Sequence, residues 1–206
     1  MALAMSPSVA FAAPLTPDVI PEKTGFIEAR GGVRITPHGS MQKALEGNGL
    51  GVQPRLVTPA VLIPLGYRVD RTWAAAIEFS YGNGHFALTD LKTGLGSTLR
   101  STTLGLQIVG QWSPNLGWER LEPFLSFGGG YYFSTLASDA GQLSEALGET
   151  NTTGFFAGVG LRWAATKPLG VVMESRYALA VAGVGKVATI NVGGSTTSLG
   201  LYYVWK

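Results

Sequence analysis

The chain has 206 residues, 46% of them hydrophobic and only 14% charged, where soluble domains carry roughly 25% charged residues. A net charge of +2 without a basic block argues against a nucleic-acid partner, and 29 glycines argue against a mostly helical protein. No run of about 18 apolar residues could cross a bilayer as a helix, so the hydrophobicity is dispersed, and the lack of cysteine fits an exported protein that forms no disulfides.

Taken in chain order, residues 1–12 are small and apolar and end in Ala10-Phe11-Ala12, a pattern that places signal-peptide cleavage before Ala13. A basic n-region and a longer apolar core are missing, so the segment reads as a partial signal peptide. Residues 13–24, with Pro14, Pro17 and Pro21, read as an extended leader. From residue 25 to 206 the dominant signal is alternation. Segments at about 25–36, 56–68, 72–82, 102–112, 122–134, 153–164, 171–181 and 197–206 each show period two over roughly the 9 to 11 residues that a tilted membrane strand needs.

In the first segment Ile27, Ala29, Val33 and Ile35 face one way, while Glu28, Arg30 and Arg34 face the other. The same parity turns Glu78 of the third segment, Arg162 of the sixth, and Glu174 and Arg176 of the seventh to that second face. The second segment is weakened by Pro59 and Pro64, each of which lacks a ladder donor, and the fifth by Gly128-Gly129-Gly130. Connections after the odd-numbered segments are long, about 19, 19, 18 and 11 residues, and those after the even-numbered ones short, as a barrel inserted from the periplasm requires. Residues 140–147 have room for one or two helical turns, though Gly141 and Gly148 bound them tightly. The pattern predicts an all-β protein, an eight-stranded antiparallel up-and-down transmembrane β-barrel with both termini periplasmic in a bacterial outer membrane.

Tryptophan, which plays no part in drawing the segments, falls at one rim of this topology. Trp73 opens the third segment, Trp112, Trp163 and Trp205 end the fourth, sixth and eighth, and Trp118 lies in a short connection. Amphipathic rings favour the headgroup level, so these five form a periplasmic aromatic girdle, with Tyr81, Tyr131, Phe133 and Phe155 as the opposite belt. The last segment places Leu199, Leu201, Tyr203 and Trp205 on one face and Ser198, Gly200 and Tyr202 on the other. Ser198, Gly200, Tyr203 and Trp205 together resemble the C-terminal signal by which the barrel-assembly machinery recognises its clients.

The stretches from Pro59 to Tyr81 and from Thr102 to Phe133, running through Glu122-Pro123-Phe124 into a Gly- and Tyr-rich strand, resemble the outer-membrane protein W family, with opacity-protein-like barrels next. That resemblance covers most of residues 25–206 and implies an eight-stranded barrel with a narrow apolar passage carrying small hydrophobic compounds into the membrane wall. The inward charges depart from it. An eight-stranded barrel is only wide enough to be filled by side chains or to hold one small ligand. Glu28, Arg30, Arg34, Glu78, Arg162, Glu174 and Arg176 are therefore expected to interlock as a plug, the alternative being a charged pathway for polar solutes. A sideways passage would use Pro59, Gly128 and Gly130 as its weak points.

Signals for other chemistry are poor. His38 and His85 fall in long loops without a second ligand at metal spacing, and Gly183-Val184-Gly185-Lys186 lacks both the first Gly and the Ser or Thr of a phosphate loop. No enzyme, cofactor or metal is expected. The sequence thus leads to an outer-membrane barrel in contact with lipid, serving as a minor channel or carrier for small hydrophobic molecules. The alternative is a closed structural or surface-interaction barrel acting through its extracellular loops.

Overall fold

The computed structural model describes residues 19–36, 46, 50–54, 58–90, 94, 96–114, 116, 118, 120–138, 149–184, 188–191 and 193–206. The expected signal peptide, the first half of the leader, the helical turn at 140–147 and His38 lie outside the described residues. The strands are β1 (Thr24–Ile35), β2 (Leu50–Pro54), β3 (Thr58–Arg68), β4 (Trp73–Asp90), β5 (Gly96–Trp112), β6 (Leu121–Ser138), β7 (Glu149–Ala164), β8 (Leu169–Val184), β9 (Ala188–Asn191) and β10 (Gly194–Trp205).

Eight strands close a cylinder in the order β1-β3-β4-β5-β6-β7-β8-β10, every seam antiparallel, with β10 joined to β8 on one side and to β1 on the other. The two short strands prolong staves. Residues 50–54 of β2 pair with residues 90–86 of β4, beyond the last β3 partner on that strand, and β9 pairs with the end of β8 beyond β10. The strands also run further than period two indicates: β4 reaches Asp90 and β5 starts at Gly96, so the expected long connection there shrinks to residues 91–95. The connections after β6 and β8 shorten likewise, to 139–148 and 185–187. Beyond the belt of large apolar residues the strands keep pairing through polar residues, which carry no hydropathy alternation to read. His85 is corrected by this extension: it lies within β4, pairs with Arg100 and points outward.

At the end that holds both described termini the turns are tight. Asp70 organises the connection between β3 and β4, its Oδ1 accepting from the Thr72 amide at 2.7 Å, the Thr72 hydroxyl at 2.9 Å and the Trp73 amide at 2.9 Å. These donors hold the Asp70 carboxyl below the usual carboxylate range. The amide of Val204 donates to the Pro168 carbonyl at 2.8 Å, tying the β7–β8 turn to the final strand.

Alternation sorts the side chains cleanly. Large apolar residues point outward from every stave, Ile108 at 72% and Phe155 at 73% exposure, which no water-soluble sheet would leave uncovered in such a band. The interior is polar through its middle and apolar at the terminal end, where Val19 and Ile20 pack with Phe26, Phe124, Val172, Tyr202 and Val204. The leader is therefore more than an extended lead-in. Its last residues fold back to stopper this mouth, a packing no strand periodicity encodes.

Candidate functional site

Among the described residues, chemistry-bearing side chains converge in the barrel interior. Glu28 and Arg30 project inward from β1, Arg68 from β3, Glu78 from β4, Glu122 from β6, Arg162 from β7, and Glu174 and Arg176 from β8, all buried. Beginning at the terminal end, Arg68 pairs with Glu122 at 2.5 Å, and Arg162 bridges Glu122 at 2.9 Å to Glu28 at 2.7 Å. Arg30 then gathers three carboxylates: Glu28 at 3.2 Å, Glu78 at 2.7 Å and Glu174. Glu78 holds Arg176 through its other oxygen at 2.5 Å.

Polar neighbours complete the chain of contacts. Ser113 donates to Glu122 at 2.8 Å, Ser126 donates to Glu174, and Arg162 donates to the Gln111 side-chain oxygen at 2.5 Å. The Arg162 guanidinium also lies 4.2 Å from the centroid of Phe124 and 5.4 Å from that of Phe26, so its faces are covered by rings and its edges by oxygens. Those rings need space opposite them. At Gly66 a Cβ would overlap the Phe26 ring, and at Gly160 the Phe124 ring, so glycine on the facing strand is what lets an aromatic lie across so narrow a lumen.

Of the seven charges singled out in the sequence, six meet in this network. The seventh, Arg34, stands apart at the far end of β1, with no carboxylate within ion-pair distance among the described residues. Arg68, Glu122 and Gln111, outside those seven, complete the network; parity points them inward, but they sit at strand ends, where the alternation is shortest.

The five tryptophans fall at the terminal rim. Trp73 pairs with Trp112, Trp163 with Leu121 and Trp205 with Gly25, while Trp118 lies in the connection 113–120. In the terminal strand, Ser198 is buried and donates to the Glu174 carbonyl at 3.4 Å, and Tyr203 stacks on Trp205 with centroids 6.5 Å apart. At Gly200 a Cβ would overlap the Ala29 carbonyl oxygen, which makes it a close-approach position.

The three residues expected to weaken the wall do not meet. Pro59 lies on β3 and Gly128 and Gly130 on β6, with β4 and β5 between them. The glycine run interrupts nothing: Gly128, Gly129 and Gly130 keep partners on both β5 and β7. Nor do these glycines widen the lumen, because a Cβ at Gly128 would overlap the Ile108 carbonyl oxygen and one at Gly130 that of Leu106. Among the described residues the ladder breaks opposite Pro64 instead, where Glu28 and Ala29 lack β3 partners. Pro59 pairs with Val33 near the stave's end, whereas Pro64 removes its donor in mid-strand.

A recess among the described residues opens on the outside. A groove of about 550 Å³ runs over β6, β7, β8 and β10, with Ala157, Ser175 and Ser195 keeping it low between Leu125, Phe127 and Tyr177, and with Arg176 among its lining residues. Ser175 and Thr197 share a hydrogen bond at 3.1 Å on this surface. Among the described residues no cluster of metal-binding side chains occurs.

No protein-family model matches the sequence, and no curated protein does either. Solved structures show the fold. The outer membrane protein OprG from Pseudomonas aeruginosa superposes with a TM-score of 0.61 at 12% identity, over 90% of this chain and 97% of that one. Neisserial surface protein A gives 0.54 at 12% identity, over 87% and 96%, and the outer membrane protein W of E. coli gives 0.51 at 15% identity, over 90% and 99%. The fold is thus the closed eight-stranded antiparallel barrel found in small outer-membrane proteins.

Proposed function

We propose that this chain is an integral outer-membrane protein with a closed axis, and that it handles small hydrophobic molecules at its wall. The outward apolar band and the tryptophan rim suit a bilayer, the rim lying at the periplasmic interface with both termini. Tyr203 and Trp205 serve there as the signal for the barrel-assembly machinery. Axial passage is disfavoured twice, by the interlocked Arg–Glu network and by the apolar stopper beneath it. The observation that carries the reading is the outer groove at Ala157 and Ser175, a low apolar trough facing the bilayer. The resemblance to the protein W family, which implies delivery of apolar compounds into the membrane, fits the same direction of traffic. No reaction and no cofactor enter this function.

The test is uptake of a small apolar compound by cells carrying the protein, set beside single-channel conductance of the reconstituted barrel. Conductance is expected to be absent, and Ala157→Phe with Ser175→Leu, which fill the groove, should lower uptake by about half or more while the barrel still folds. Undiminished uptake in the folded double variant would refute the carrier role. The second reading, a closed scaffold, would then stand, and the unbroken ladders of seven of the eight seams favour it.

A further inference from the structure

Among the described residues the buried interior holds five arginines, at 30, 34, 68, 162 and 176, against four glutamates, at 28, 78, 122 and 174. Each glutamate is engaged by at least one of Arg30, Arg68, Arg162 and Arg176, which leaves Arg34 as the cation in excess. Arginine does not shed its proton in proteins, so the excess cannot be relieved by neutralisation. A second donor is also open: Arg176 gives Nη2 to Glu78, and its buried Nη1 has no hydrogen-bond partner among the described residues.

Register brings the two together. Arg34 pairs with Thr196 of β10 on one side and with Thr58 of β3 on the other, and Thr196 pairs in turn with Arg176 of β8. One row across the inner wall therefore reads Thr58, Arg34, Thr196, Arg176, all four buried. The arginine backbones stand two strand spacings apart, about 10 Å, which two long side chains can close around one small ion. Gly82 gives the Arg34 guanidinium its room, since a Cβ there would stand 3.0 Å from Nη1. The row lies toward the end of the lumen away from the termini, where Arg176 is the last member of the plug.

We infer that Arg34, Thr196 and Arg176 form a binding site for a small oxyanion, a carboxylate or a phosphate, entering from the mouth opposite the termini. A guanidinium presents paired N–H donors at the spacing of two oxygens on such a group, and the threonine hydroxyl between the arginines supplies a neutral donor. The bound charge would balance the interior. This site is reached along the axis from above and shares only Arg176 with the lining of the groove in the wall.

The experiment uses the full chain refolded in dodecyl maltoside, which carries no charge and no phosphate. Inorganic phosphate and acetate are titrated separately by calorimetry, with heat-modifiable mobility reporting folding. Saturable one-site binding of either ion is expected, and which ion binds more tightly assigns the source. Arg34→Gln should weaken that binding about tenfold or more while leaving the ligand-free barrel at least as heat-stable, because it removes an uncompensated charge. A role confined to holding the barrel together would instead lower the melting temperature. Should Arg34→Gln fail to fold, Thr196→Val tests the same row and should weaken binding about threefold. Absence of saturable binding of both ions, or wild-type affinity in the folded variant, overturns the site.

Discussion

Glu78 holds two guanidinium groups at once, Arg30 through one oxygen and Arg176 through the other, in a place water does not reach. Its value lies less in the attraction than in what its loss would leave behind, since breaking a buried pair strands an uncompensated charge. Glu78→Ala is therefore expected to destabilise the barrel by about 3–5 kcal/mol. Exposed Glu22, which pairs with Arg71 at 2.7 Å, is the internal control, and Glu22→Ala should cost less than about 1 kcal/mol. Urea unfolding of both variants in lipid vesicles checks the contrast. Equal, small losses would mean that the lumen is hydrated and its charges act independently.

Among elements, β6 shows how far a sequence pattern carries. Its alternation is legible through Leu125, Phe127, Tyr131 and Phe133 because one face meets an apolar medium and the other does not. What Gly128 and Gly130 do is not legible, because the reason for a glycine lies on the facing strand: the carbonyl oxygens of Ile108 and Leu106 occupy the space of their side chains. Gly128→Leu and Gly130→Leu should then fail to give a heat-modifiable barrel. Gly31→Ala, with nothing within 4 Å of the added carbon, should fold normally. Folded Leu variants would show that β5 and β6 can separate. The same limit explains the rest of the site. Parity places Glu28, Arg30 and Arg162 inside, but which cation faces which anion depends on the stagger between strands distant in sequence, so the isolation of Arg34 emerges only once the register is known.

At the scale of the molecule two seals stand in series, an apolar stopper made partly by Val19 and Ile20 and an ionic plug above it. Replacing Val19 and Ile20 with Asp should loosen the first and lower the melting temperature by several degrees, about what a loss of 1–2 kcal/mol gives. Planar-bilayer recordings of that variant should still show no conductance. Current through it would place the only real barrier in the stopper. Closure of the cylinder has a consequence for how the protein is made. The seam that pairs Gly25 with Trp205 joins the first and the last stave, so its formation is what closes the cylinder. Until then Glu28 and Arg30 lack their partners on β7 and β8. A one-residue slip of β1 itself against its neighbours would swing both charges from the lumen into hydrocarbon. Ion pairing inside the barrel is therefore expected to favour the native alignment at closure over one displaced by a residue.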